Sequence, residues 1–227
     1  MTDRCFGAEA ARYDAAYDAP GAPGQALRDR METVLELVGD IPGEVLDAGV
    51  GPGRLLAALD RRGWRVSGAD VSDEMLAIAR SRLPEAAKRL VRGPIEALPF
   101  EAASFDLVVA TGVLEYADDP QAALAEIART VRPEGRAIVS LPNWWSCSAL
   151  CRRHVLYPAA RRLPVRGQHV PPPPRLIRVA DFEHLLTAAG LPPTVVRRTS
   201  FRPRALRRLG FQSLAAQIVF ASERRAA

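Results

Sequence analysis

VLDAGVGPGRL, residues 45–55, decides how the chain is read. An apolar run ends in Asp47, and glycines follow at alternate positions, Gly49, Gly51 and Gly53. A strand that passes through glycines into a helix N-terminus lets backbone N–H groups approach a ligand closely, because no Cβ intervenes. Nucleotides are the usual occupants of such turns. The dinucleotide fingerprint GxGxxG, started at Gly49, requires Gly or Ala at position 54, and this chain has Arg54. That fingerprint also has no use for an acid two residues before its first glycine. Asp47 stands there, able to accept from a cation. Both points turn the reading away from a dinucleotide and toward a ligand with an ammonium group.

Asp70 lies 21 residues after Gly49, at the end of the next apolar run, WRVSGAD (64–70). An acid at that interval accepts hydrogen bonds from both ribose hydroxyls of a nucleoside bound across the switch point of an α/β sheet. Alone it would read equally well as a helix cap; paired with the glycine turn it points to a ribose.

Around these residues the chain alternates strand and helix signals, the mark of βαβ units on a parallel sheet. EVLDAG (44–49), WRVSGAD (64–70), RLVRG (89–93), FDLVVAT (105–111) and GRAIVSLP (135–142) read as five strands. RLLAALDRRG (54–63), a stretch capped by Ser72, and residues 119–131 read as helices between them. Residues 22–39 form an amphipathic N-terminal helix. VADFEHLLTAAG (179–190) is a further helix, and TVVRRTSF (194–201) and QSLAAQIVFAS (212–222) read as a closing strand pair. Residues 143–179 break the rhythm, with two tryptophans, paired arginines and four prolines at 171–174. The stretch is too long for a plain connection and reads as a substrate loop or lid.

The 227 residues suit one α/β domain. We divide it into a helical N-terminal cover (1–40), a ligand-binding core (41–142), a lid (143–180) and a C-terminal helix and strand pair (181–222). The N-terminus lacks a basic segment followed by an apolar one, so no secretory signal is expected. No apolar run is long enough to span a bilayer. Cys5, Cys147 and Cys151 form no CxxC pair, suggest a reducing, cytoplasmic setting, and make a poor metal site. The net charge of +5 is uneven. Residues 143–227 hold 15 Arg against three acids, a charge of +12, and residues 1–142 hold 16 basic and 23 acidic residues, a charge of −7. A basic third of this kind suits an anionic substrate or an acidic membrane surface; nucleic acid is disfavoured as a partner. Trp144 and Trp145 beside those arginines suit either a lipid interface or a hydrophobic substrate pocket.

DAGVGPGRL, VSGADVSDEMLAIAR, GPIEALPFEAASFDLVVATGVLEY and VRPEGRAIVSLPN together resemble the successive motifs of class I S-adenosylmethionine-dependent methyltransferases, in particular the small-molecule group of the ubiquinone and menaquinone methyltransferases. The resemblance covers residues 43–143 well and the C-terminal helix and strand loosely. It implies a doubly wound seven-stranded sheet of order 3-2-1-4-5-7-6 with strand 7 antiparallel, and S-adenosyl-L-methionine as cofactor. Gly49 and Gly51 would pass under the methionine part and Asp47 would order it through the ammonium. Asp70 would take the ribose diol, and Val71 and Met75 would flank the adenine. Thr111 and Gly112 would offer carbonyl groups to the ammonium. Relatives carry G-D-x-E where this chain has GPIE. Pro94 therefore removes an adenine acceptor, leaving the Ile95 N–H and Glu96. Tyr13 and Tyr17 resemble the segment that covers the cofactor in relatives.

For the acceptor side, Glu115, Tyr116, Tyr13, Tyr17 and Trp144 are candidate substrate contacts, and His169 is the candidate general base, since similar enzymes often carry a histidine shortly before the penultimate helix. The place where amino-methylating enzymes carry an (Asp/Asn/Ser)-Pro-Pro-aromatic turn reads TGVLEY here. A methyl transfer to oxygen or carbon of a small molecule is therefore expected. Two rivals stay open at this point: the same fold acting on RNA or protein, and a non-catalytic nucleoside-binding or partner subunit. No metal is expected.

Overall fold

The computed structural model describes residues 9–143, 177–199 and 217–224. Ala10–Ala16 (α1) and Ala22–Val38 (α2) precede a seven-stranded sheet. The strands are Glu44–Ala48 (β1), Arg65–Asp70 (β2), Leu90–Arg92 (β3), Phe105–Ala110 (β4), Val131–Pro142 (β5), Pro193–Thr199 (β6) and Gln217–Glu223 (β7). Arg54–Asp60 (α3), Asp73–Arg82 (α4), Pro120–Thr130 (α5) and Val179–Ala188 (α6) pack on its two faces. The order is β3-β2-β1-β4-β5-β7-β6. Strands β1 to β5 pair in parallel, and β7 runs antiparallel to both neighbours. This is the expected order.

Strand parity divides the core. Leu46, Val108, Ala110, Val139 and Phe220 face one layer with Leu124 and Ile127 of α5 and Phe182 and Leu186 of α6. Val45, Leu107, Val109, Ile138 and Val219 face the other, with Val34 and Val38 of α2 and Leu56 and Leu59 of α3. Period-2 geometry sends successive side chains to opposite faces. Both faces are covered, so the central strands are apolar throughout.

Two boundaries differ from the sequence reading. The fifth strand begins at Val131, four residues earlier than expected, and the preceding helix ends at Thr130. The register slips between Phe105↔Val131 and Leu107↔Arg136, with Glu134 at φ 65°. The bulge absorbs the irregular stretch RPEG, which in sequence reads as a turn. The closing pair spans Pro193–Thr199 and Gln217–Glu223; the remainder of the expected segments and the Arg-rich connection lie outside the described residues.

The winding sets the position of the site. From β1 the chain crosses through α3 to β2 on one side, whereas β4 lies on the other side of β1 and is followed by α5 on the opposite face. The order reverses between β1 and β4, and their carboxyl ends open a crevice there. Asp47 lies near the carboxyl end of β1, and Asp70 ends the neighbouring β2.

Candidate functional site

The glycine turn is built by backbone bonds to the neighbouring strand. Gly49 N–H and Val50 N–H both donate to Ala69 O, at 2.8 and 2.9 Å. Gly49 has φ 87°, and a Cβ there would lie 2.7 Å from Val113 Cβ. Gly51 has φ 52°, and a Cβ there would meet nothing within 4 Å. The first glycine is thus required by packing, and the second faces open space.

Asp70 locks the turn to the second strand. Its Oδ2 accepts from Gly51 N–H (2.8 Å) and its Oδ1 from Ser72 N–H (3.0 Å). These two bonds fix the carboxylate plane, and each oxygen keeps lone-pair capacity toward a diol. Ser72 caps α4 by accepting from Met75 N–H at 3.2 Å, which holds Met75 in place at the wall of the crevice.

A cavity of about 230 Å³ opens above the turn. Gly49, Gly51, Asp70 and Met75 line one side, and Thr111, Gly112, Glu115 and Tyr116 line the other. Tyr13 closes it from α1. The structure therefore gathers nine of the residues expected from sequence around one space. Asp47 lies beneath it, only 3% exposed. Burial, reinforced by the charge of Asp70 and opposed by Arg30, pushes its carboxyl up to about 8. Val71, Ile95, Glu96 and Tyr17 are not on the cavity wall. Ile95 is buried in the α5 layer, and Glu96 accepts from Asp118 N–H at 2.7 Å, tying the 94–97 loop to the segment after β4. Tyr17 packs edge-on against Tyr13, with centroids 5.9 Å apart. His169, His154, Trp144, Trp145, the three cysteines and the proline run lie outside the described residues; His184 is exposed on α6.

Sequence reasoning missed Arg30. It is 5% exposed and lies on the cavity wall, with its guanidinium where a Cβ of Gly112 would stand. Its Nη2 donates to Tyr13 Oη (3.3 Å) and its Nη1 to Gln217 Oε1 (3.2 Å). Burial alone would weaken its charge, but Tyr13, Tyr17 and Glu115 more than offset that and hold it protonated. The signal was available: Arg30 is in phase with Val34 and Val38 at i, i+4 and i+8, the buried stripe of α2. A charge on the core side of an amphipathic helix needs a partner or a ligand. Ser140 was also missed. It is fully buried and accepts from Gly112 N–H at 3.1 Å, which orients the end of β4.

The arrangement has three acids and one cation around one small space: Asp47, Asp70 and Glu115 against Arg30. That pattern suits a zwitterionic group joined to a further positive centre and a ribose. Among the described residues no three His, Cys, Asp or Glu side chains are grouped to hold a metal ion, and no helix is long and apolar enough to cross a membrane.

Residues 46–139 match the family model described as a methyltransferase domain. The chain is 31% identical over 182 residues to a ubiquinone biosynthesis O-methyltransferase of Bordetella avium, covering 77% of this chain and 73% of that protein. It is 37% identical over 130 residues to a malonyl-[acyl-carrier protein] O-methyltransferase of Serratia marcescens, covering 57% of this chain and 49% of the other. Among solved structures, an S-adenosylmethionine-dependent methyltransferase of Thermotoga maritima superposes with a TM-score of 0.74 at 19% identity, over 99% of this chain and 100% of that one. The chain spans between 26% and 49% of the length of the first curated relatives that it matches.

Proposed function

Because the chain belongs to the class I S-adenosylmethionine-dependent methyltransferases, we infer that it moves the methyl group of that cofactor to an oxygen or carbon atom of a small molecule that is hydrophobic or anionic. The observation that carries this reading is the join of the two sequence signals in space: Asp70, the ribose partner, directly bonded to Gly51 of the turn, with Asp47 buried beneath. The residues present fit the cofactor. Gly51 presents a bare backbone to the cavity, Asp70 is oriented for a diol, and the acids outnumber the cation as a doubly cationic, singly anionic ligand requires.

When bound, the cofactor supplies an already activated methyl on a sulfonium, so the protein's task is alignment and exclusion of water. Asp70 holds the ribose. Asp47 and the carbonyl groups of Thr111 and Gly112 hold the ammonium, and Arg30 holds the carboxylate of the same methionyl group. Met75 packs beside the adenine from α4, with Val71, the Ile95 N–H and Glu96 on the loops around it. Tyr13 covers the cavity. Glu115 and Tyr116 stand on the acceptor side, with Tyr17, Trp144 and His169 completing the proposed set, His169 as the base where the acceptor must lose a proton. Residues 143–180 serve as the acceptor lid, and the basic C-terminal third offers the surface for an anionic acceptor or an acidic membrane.

Two measurements follow from this assignment. The raised value of Asp47 makes cofactor binding proton-linked. The free carboxyl is mostly protonated at pH 7, and an ammonium beside it expels that proton. Affinity should therefore rise between about pH 6 and 7.5, by up to about tenfold per unit, with release of close to one proton. Calorimetry in buffers of different ionisation enthalpy reads it; a pH-independent affinity without proton release would remove Asp47 from the ammonium site. Without cofactor the linkage has the opposite sign: folding stability that Asp47 contributes at low pH is lost as pH rises toward 8.

The two glycines separate fold from ligand. Gly49→Ala should lower stability by about 2–4 kcal/mol, from the left-handed backbone and the collision with Val113. Gly51→Ala should cost only about 1 kcal/mol of stability, yet reduce cofactor affinity at least about tenfold, because its methyl enters the ligand space. Urea midpoints and calorimetry on the pair decide it; equal binding by Gly51→Ala and wild type would displace the cofactor from this turn.

The function itself is tested by methyl transfer from labelled cofactor to a panel of quinols, phenols, glycans and lipid-linked acids. A protein that binds neither S-adenosylmethionine nor its demethylated product would overturn the reading.

A further inference from the structure

Helix α1 has seven residues and buries only Ala10 fully, too little to hold a helix of that length on a surface by itself. It nevertheless carries Tyr13 over the cavity and into hydrogen-bonding range of Arg30. What fastens it is ionic. Asp14 is gripped from two helices. Arg54, the first residue of α3, donates from Nε to Asp14 Oδ1 at 2.6 Å. Arg82, the last residue of α4, donates from Nη2 to Asp14 Oδ2 and Oδ1 at 2.9 and 3.1 Å. Arg54 also grips Asp18 with two parallel bonds, Nη1 to Oδ1 (2.9 Å) and Nη2 to Oδ2 (2.5 Å). Its guanidinium lies 5.1 Å from the ring centroid of Tyr17. Arg82 reaches the glycine turn as well, donating to Pro52 O. The side chains of Asp14, Arg54 and Arg82 are between 20% and 26% exposed.

We propose that Arg54 and Arg82 are positioning residues, which with Asp14 and Asp18 form an ionic clasp that holds α1 and Tyr13 down over the cofactor cavity and sets the rate at which cofactor enters and product leaves. This rests on the cofactor reading above. Position 54 is where a dinucleotide turn carries a third small residue for close packing. Here an arginine takes that place and turns outward to the cover. The clasp joins α1 to the start of α3 and the end of α4, two helices that already pack on each other through Leu55, Leu76, Ala79 and Leu83. Bidentate pairing gives it a defined geometry, which scattered surface pairs lack. Because the partners are only partly buried, the clasp is screened by salt. Burial works against the Asp14 carboxylate, but Arg54 and Arg82 outweigh it and hold Asp14 below the ordinary carboxylate range, so the clasp is fully charged at neutral pH.

The test uses the whole chain. Radiolabelled S-adenosylmethionine is bound, then chased with excess S-adenosylhomocysteine, at salt between about 0.05 and 1 M, over which the screening length falls from over 10 Å to about 3 Å. Wild-type release should accelerate about tenfold across this range. Arg54→Gln should release about tenfold faster than wild type at low salt and respond little to added salt, and Arg54→Lys should recover part of the difference. In the same proteins without cofactor, amide exchange of residues 10–17 should be faster in Arg54→Gln and should accelerate with salt in wild type. Asp18→Asn, at an exposed position, is the milder variant should Arg54→Gln fold poorly; it should release two- to threefold faster. Release rates that are independent of salt in wild type, or a folded Arg54→Gln or Asp18→Asn with wild-type release and wild-type exchange over 10–17, would overturn the clasp. Failure of wild type to bind the cofactor at all would instead overturn the methyltransferase reading, and the exchange measurements would still judge the clasp.

Discussion

Asp70→Ala should weaken S-adenosylmethionine binding by about 2–4 kcal/mol, a factor of about 30 to 1000 in Kd. The estimate has two parts. A carboxylate that accepts from both ribose hydroxyls contributes about 1–3 kcal/mol through charge-assisted bonds. The rest comes from the turn: Asp70 holds Gly51 N–H at 2.8 Å and Ser72 N–H at 3.0 Å, and the truncated side chain holds neither. The turn then must be ordered by the ligand at binding. Asp70→Asn should fall between, since it keeps one acceptor but points an NH₂ at a backbone donor. Folding should suffer less than binding, because removing Asp70 also relieves the like charge that raises Asp47. Calorimetry against S-adenosylmethionine and S-adenosylhomocysteine measures it. A Kd within threefold of wild type for Asp70→Ala would take the ribose away from this residue.

Arg30→Met should be the most destabilising single change in the site, by about 3–5 kcal/mol. Methionine fills much of the same volume, so the cost is electrostatic. Asp47 and Glu115 lose the buried cation that faces them, and Tyr13 and Gln217 lose their donor. The carboxyl of Asp47 should rise further above 8, which moves the pH dependence of cofactor binding upward. Affinity for the cofactor should drop at least about a hundredfold at pH 7 if Arg30 takes the carboxylate. Arg30→Lys should retain part of the stability, since the charge remains, but a point charge cannot reach Tyr13 and Gln217 in one fork. Urea denaturation separates the stability part and calorimetry the binding part. A loss below about 1 kcal/mol with unchanged affinity would show that Arg30 is solvated rather than paired in solution.

These two residues differ in how they could be read. Asp70 was legible because its meaning depends on local order: an acid at a strand end, at a set interval from a glycine turn. Hydrophobic continuity gave the strands and their alternation with helices gave the parallel α/β winding, whereas the seven-stranded order with its cofactor crevice came from the resemblance to the methyltransferase family. Arg30 was legible only as a charge on the buried stripe of α2 in need of a partner, because nothing in ALRDRMETV says what lies above that face. Arg54 was noticed only for what it excluded. Its partners Asp14 and Asp18 are 40 and 36 positions away, and no local rule links them. The early start of β5 was missed for a third reason: a bulge at Glu134 lets RPEG, a turn by composition, run inside a strand.

The sequence by itself determined the α/β class and the glycine turn with an acid 21 residues on, because these depend on spacing along the chain and on backbone geometry that neighbours impose; the methyl donor followed from the resemblance of its motifs to a known family. The tertiary structure decided the charge arrangement. Only folding brings Arg30 of α2 beside Gly112, Tyr13 and Gln217, and only folding closes Arg54 and Arg82 on Asp14. Electrostatic partners act through space and depend on burial, whereas secondary structure and turn chemistry act along the chain.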